Sequence, residues 1–301
     1  MVLGVAIISF SAIFVRLSAA SPVTVAFFRT AYALPVLYAL KVLTGGTPDR
    51  STRQRRLAFG AGFALAADFA SWHVAIELIG AGLATVVGSV HVITTMIAGW
   101  IILQQRPTRL ALAVTPVVMV GVVLIAGFGS SGAHGDDPAL GVLFGVLTAG
   151  LYTTFLLLLR QSGTSGGSPI EPLFEATAGA VVGALLLAPL DSDFSLIPSW
   201  PSHGWLVALA LGAQVTGWLL ITYVLPQVEA WETSMLLVLQ PAGTILWAYL
   251  IFSEVFSFSQ WIGLCLVVAG VLIVTASRAM AERNAGPATV VWTTGSAPPH
   301  D

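Results

Sequence analysis

A chain of 301 residues with 9% charged and 56% hydrophobic residues, before its 30 glycines are counted, cannot cover a soluble surface. Ordinary soluble domains carry roughly 25% charged residues. The mean hydropathy of +0.91 indicates an integral membrane protein, and the net charge of −2 excludes nucleic-acid binding, which rests on clustered Lys and Arg. The single cysteine, Cys265, excludes an intramolecular disulfide and a cysteine-rich metal site.

A helix needs about 20 mostly apolar residues to cross roughly 30 Å of hydrocarbon. In chain order the apolar runs are 2–19, 23–43, 57–78, 81–103, 109–127, 139–160, 171–189, 204–225, 230–252 and 260–278. Stretches such as Ala111 to Ala126 are continuously apolar. They predict helices, because lipid-spanning barrel strands alternate apolar and polar residues. The first run begins Met1-Val2-Leu3, without the basic start of a cleaved leader, and is read as a helix. Thr44 to Pro48, Gly129 to Pro138, Gly163 to Pro169 and Asp191 to His203 punctuate the runs. Residues 279–301 read as a disordered tail.

Lys and Arg stay on the cytoplasmic side in short loops. Lys41, Arg50, Arg53, Arg55, Arg56, Arg106, Arg109, Arg160, Arg278 and Arg283 fall on one side if both termini are cytoplasmic. Only Arg16 is basic near the other side, where Asp136, Asp137, Asp191, Asp193 and Glu254 lie. The expected location is a cell inner (plasma) membrane.

The halves of the chain are alike. Gly82 to Ala126 aligns with Trp231 to Thr275, placing Gly121 on Gly270 and Leu103-Gln104-Gln105-Arg106-Pro107-Thr108 on Phe252-Ser253-Glu254-Val255-Phe256-Ser257. The helix near Gly4 likewise falls on the helix near Gly141. The expected fold class is an all-α integral membrane protein of ten transmembrane helices in two five-helix repeats, 1–127 and 139–278. Five is odd, so the second repeat is inverted. Inverted repeats are a plan of secondary transporters, because two such copies close against each other on either face. No G-x-x-x-x-G-K-[ST] run supports ATP-driven pumping.

This pattern resembles the drug/metabolite transporter superfamily, EamA-type, over about residues 2–278. Phe27-Phe28-Arg29 is similar to the family's second-helix arginine. Gln105-Arg106-Pro107-Thr108 and Ser253-Glu254-Val255 stand where relatives often read Gly-Glu-Arg. Gln105 replaces the usual acid, and Ser253 and Val255 also depart. The resemblance implies export or exchange of amino acids, drugs, sugars or other metabolites.

Ionisable groups inside a bilayer are costly and need a partner or a role. At a rise of about 1.5 Å per residue, Asp68, His91, Gln214 and Gln240 lie near mid-membrane, and His91 falls on Gln240 in the repeat. Arg29 sits about 6 Å outward of the middle of its helix and Glu175 a similar distance inward. Arg29 is a candidate for a substrate carboxylate or for an ion pair with Asp68. Trp72 follows Asp68 by four residues and shares its helix face. The candidate substrate-binding residues are therefore Arg29, Trp72, His91, Gln214, Gln240 and Glu175. Asp68 and His91 are the proton-coupling candidates, since a carboxylate in low dielectric or an imidazole can exchange a proton near neutral pH. The alternative for both is a structural tie. Pro241 lacks an N–H and frees the carbonyl of Leu237. Trp72, Trp218 and Trp247 lie deep, whereas Trp205, Trp231 and Trp261 sit near helix ends.

Two transport readings follow: a carrier of small polar metabolites, amino acids or related compounds foremost, or a multidrug efflux carrier for lipophilic cations. A membrane enzyme would need clustered acid, base and donor groups at one face, and the sequence holds no H-E-x-x-H. A scaffold or sensor would need a soluble effector region. The expected partners are a small-molecule substrate and the lipid bilayer. A homodimer is left open, and no cofactor or metal is expected.

Overall fold

The computed structural model describes residues 1–46, 50–126, 137–197, 199–253 and 255–284. Asp136, Pro198, Glu254 and residues 285–301 of the expected tail lie outside them, as does most of the Gly129–Pro138 break. Among the described residues ten apolar helices follow one another: α1 Val2–Ser18, α2 Pro22–Leu43, α3 Thr52–Gly80, α4 Leu83–Leu103, α5 Arg109–Ile125, α6 Pro138–Ser162, α7 Ile170–Leu190, α8 Ser202–Val224, α9 Ala230–Phe252 and α10 Phe258–Asn284. Eight are long and apolar enough to cross a membrane, and α1 and α5 are shorter. α10 runs on to Asn284, so the stretch expected as tail from 279 opens as helix.

The helix starts carry their own chemistry. Side-chain oxygens of Ser51, Thr108 and Asp137 accept from the backbone N–H of Gln54, Ala111 and Leu140. Such caps satisfy amide groups that a helix start leaves unpaired. Pro22 and Pro138 stand at the first helical turn, where a missing N–H costs nothing.

The two halves share irregularities as well as helices. In the register that puts Gly121 on Gly270, α4 breaks after Gly88 and α9 breaks at the equivalent Leu237. Gln104 ends α4 with φ 57°, and its counterpart Ser253 ends α9 with φ 54°. Thr108 caps α5, and its counterpart Ser257 accepts from Gln260 N at 3.3 Å at the start of α10. Glycine and valine matches are cheap in apolar sequence. A shared break, a shared left-handed residue and a shared cap are not. Packing repeats in the same way: α3 lies on α6 as α8 lies on α1, and α3 lies on α7 as α8 lies on α2. The helices α2 and α7 pair with each other, as do α5 and α10. This is the pattern of two inverted five-helix repeats.

Lipid gives no hydrophobic drive between helices, so small residues that let backbones meet carry the packing. A Cβ on Gly62 of α3 would lie 1.7 Å from the Ala176 carbonyl oxygen of α7, and one on Gly179 would lie 2.1 Å from that of Phe59. Gly121 and Gly263 make the matching contact between α5 and α10. Ile97, Trp100, Ile101, Leu143 and Leu250 are exposed, as suits side chains facing hydrocarbon. The buried residues gather into one large cluster from α1, α2, α3, α6, α7, α8 and the break in α9, and a smaller one from α4, α5, α9 and α10. The seam between the two groups is where the main cavity lies.

Candidate functional site

The cavity holds about 430 Å³, within the range of small-molecule sites. Six helices line it. Asp68, Phe69 and Trp72 come from α3; Thr85, Gly88, Ser89 and His91 from α4; Thr148 and Tyr152 from α6; Leu237, Gln240, Pro241, Thr244 and Ile245 from α9. Ala12 of α1, with Ile125 and Ala126 at the end of α5, completes it. Asp68, His91 and Gln240 mark mid-helix, and Thr85 and Ile125 mark helix ends, so the cavity runs from mid-depth toward the end remote from the basic loops.

At the basic end the helices are tied to one another by polar contacts. The side-chain oxygen of Gln105 accepts from Ala230 N at 2.8 Å, tying the end of α4 to the start of α9. Arg160 donates to the carbonyl of Val228. Arg278 pairs with Glu232. Trp231, expected near a membrane surface, is instead buried beside Met96 and Ala111, and its indole N–H donates to Glu229.

Both helix breaks stand at the wall of the cavity. At the first, the ring Nδ1 of His91 lies 3.2 Å from the carbonyl oxygen of Gly88. A carbonyl only accepts, so Nδ1 carries a proton, and in the neutral ring Nε2 is then an acceptor. At the second, Pro241 leaves the equivalent carbonyl of Leu237 without its usual donor. The break in α4 forms without a proline, so it belongs to the fold and not to Pro241 alone. Asp68 is 5% exposed, and its Oδ1 has no hydrogen-bond partner. Nε2 of His91 and Oγ1 of Thr148 are likewise buried and unpartnered. The Tyr152 ring meets that of His91 edge-on, with centroids 4.8 Å apart.

Of the residues singled out from sequence, Asp68, Trp72, His91 and Gln240 meet in this cavity. Arg29 and Gln214 do not line it but meet each other: Arg29 Nε donates to Gln214 Oε1 at 2.9 Å, and Gln214 Nε2 donates to Thr177 Oγ1 at 3.3 Å. The Arg29 guanidinium lies 5.1 Å from the ring centre of Phe69. Among the described residues it makes no ion pair with Asp68, though its charge acts on that carboxylate. Gln214 reaches Arg29 from a π-helical stretch, Ala210–Gly217, that widens α8. Glu175 lies elsewhere, at the basic end, 3.0 Å from Arg50 and 3.9 Å from Arg55. Burial pulls the Arg50 guanidinium below its ordinary pKa, and Glu175 beside it pulls the other way. Trp218 packs edge-on against Phe155 at 4.8 Å, and Trp247 donates to Ser9 Oγ at 2.7 Å. Both are packing residues. Thr148 and Tyr152 escaped sequence reasoning, although two hydroxyls four residues apart in an apolar helix are a readable sign.

Gln214→Leu leaves the buried Arg29 Nε unpaired, an expected cost of about 1–3 kcal/mol. Thermal unfolding in detergent should show a lowered Tm for Gln214→Leu and an unchanged one for Gln240→Leu in the cavity wall.

The model of the EamA-like transporter family matches this chain twice, over residues 1–127 and 139–276. The chain belongs to the EamA-like transporter family. Two relatives from Archaeoglobus fulgidus, each named an uncharacterized transporter, are similar along most of their length. One is 27% identical over 277 residues, covering 90% of this chain and 95% of its own. The other is 22% identical over 272 residues, covering 90% and 93%. A solved crystal structure, 15% identical, shares the fold with a TM-score of 0.77 over 91% of this chain and 96% of its own. This EamA-like transporter keeps the polar close of α4 with a neutral residue. The amide of Gln105 accepts the Ala230 N–H, as a carboxylate would.

Proposed function

We propose that this transporter is a secondary carrier of small polar metabolites, drawn from amino acids or related compounds such as amines, working by alternating access through the central cavity. The single observation that carries this reading is a mid-depth cavity between inverted halves that brings Asp68, His91 and Gln240 into one largely apolar space, continued toward one end and cross-tied by Gln105, Arg160 and Arg278 at the other. Trp72, His91 and Gln240 contact the substrate, and Asp68, with His91, exchanges the driving proton. Arg29 and Gln214 act from behind Phe69 by holding the cavity wall, and Glu175 serves the basic end. The loops bearing Lys41, Arg50, Arg106 and Arg160 face the cytoplasm of an inner (plasma) membrane, by the positive-inside bias. The cavity then faces outward. A second reading, efflux of lipophilic cations, has Phe69, Trp72 and Tyr152 beside Asp68 in its favour.

Proteoliposomes offered a mixed pool of amino acids, sugars, nucleosides and amines, with and without a pH gradient, test this. One class should accumulate in the lumen, and more of it with the gradient. Asp68→Asn should remove the gradient's effect while the protein stays folded. Gradient dependence retained in Asp68→Asn would take Asp68 out of the coupling. Uptake of no class by folded protein would end the metabolite reading.

A further inference from the structure

We infer that the cavity selects a primary amine, held through its N–H groups, over a zwitterionic amino acid or a quaternary ammonium ion. This rests on the cavity being the transport site. Three buried polar atoms without partners, Asp68 Oδ1, His91 Nε2 and Thr148 Oγ1, belong to three residues that line the same space from α3, α4 and α6. Two of these residues are more than nine-tenths buried, Asp68 at 5% and Thr148 at 6% exposure.

Their chemistry is of one kind. An ionised carboxylate only accepts, His91 Nε2 accepts in the neutral ring whose Nδ1–H faces the Gly88 carbonyl, and a hydroxyl can accept. A primary ammonium brings three N–H donors on one nitrogen. The lining offers acceptors from three helices to such a group, and a quaternary nitrogen has no donor to offer. The aromatic faces of Trp72 and Tyr152 stand beside them and favour positive charge.

The carboxylate of an amino acid fares worse. No Lys or Arg is among the residues lining the cavity. The nearest cation, Arg29, gives its Nε to Gln214 and lies over Phe69. A ligand carboxylate would sit in the same small cavity as Asp68 with no facing cation. Gln240, on the opposite helix α9, offers a donor and an acceptor to a hydroxyl or carbonyl at the far end of the ligand.

Matched ligand sets test this on the full chain in lipid nanodiscs, by calorimetric titration and by counterflow in proteoliposomes. The aromatic set is phenethylamine, its N,N,N-trimethyl derivative and phenylalanine. The aliphatic set is butylamine, butyltrimethylammonium and norvaline. In at least one set the primary amine should bind about tenfold or more tightly than both companions. Asp68→Asn should remove that preference, and Thr148→Val, which keeps the shape, should weaken amine binding several-fold. Phenylalanine or norvaline bound as tightly as its amine overturns the inference and leaves the carrier reading standing. Equal binding of the trimethyl ligand overturns the N–H count and favours lipophilic cations. A protein that accumulates some other metabolite class but binds no amine overturns the inference alone. One that is folded and moves nothing overturns the carrier reading with it.

Discussion

Gly62→Leu is expected to leave little or no assembled protein. The Cβ it adds would stand 1.7 Å from the carbonyl oxygen of Ala176 and 2.6 Å from the nitrogen of Ala180. Both are backbone atoms of α7, with no side chain to swing aside. Overpacking a protein interior ordinarily costs about 1–3 kcal/mol, but that figure assumes neighbours that can shift. Here α3 and α7 would have to part, and with them the reciprocal contact of Gly179 on the Phe59 backbone. The control is two residues away. A Cβ on Gly60 meets only Leu158 Cδ1 at 3.8 Å, so Gly60→Ala should be tolerated. Yield and monodispersity in size-exclusion chromatography read the difference. A monodisperse Gly62→Leu protein at ordinary yield would mean that α3 and α7 do not meet as described.

Gly88→Phe should do the opposite, sparing the fold and abolishing transport. A Cβ there would lie 3.5 Å from Thr148 Cγ2 and 3.8 Å from Trp72 Cδ1, both ordinary contacts. The backbone is helical and no carbonyl stands in the way. Gly88→Ala should therefore fold and retain uptake. The phenyl ring of Gly88→Phe extends into the cavity between α3 and α6 and competes with any ligand for a volume of about 430 Å³. Uptake should fall by about tenfold or more, with a chromatographic profile like that of the parent. Unimpaired uptake by Gly88→Phe would exclude this cavity as the route.

The helices and the repeat were legible because each has a strong linear signature: about 20 apolar residues for a span, and a constant register between halves. The gathering of Asp68, Trp72, His91 and Gln240 was legible for the same reason, since depth follows from rise per residue. Rotation about a helix axis and local changes of pitch have no such signature. Arg29 had Asp68 as its expected alternative partner and took Gln214, because the π stretch Ala210–Gly217 resets which face α8 turns toward α2. Apolar sequence carries no mark of that turn. Glu175, a substrate-binding candidate by its depth, lies apart from the cavity because Arg50 reaches it from a loop. The single first helix is broken at Ser9 and Phe10. Thr244 donates to the Ser9 carbonyl at 2.9 Å and Trp247 to its hydroxyl, a tie from α9 that local sequence cannot announce.

The shortness of α5 bears on the membrane around the protein. Its 17 residues reach about 25 Å at 1.5 Å per residue, against roughly 30 Å of hydrocarbon. Leu112, Val117 and Val120 on its outer face are about half exposed, so lipid and not protein meets this face of the helix. A short hydrophobic face is met by thinning of the adjacent bilayer. Ile125, where α5 ends, is also at the rim of the cavity. A thinned bilayer there brings the water layer toward the cavity lining at Ile125, and a solute arriving along that edge has less oil beside it before it reaches Asp68.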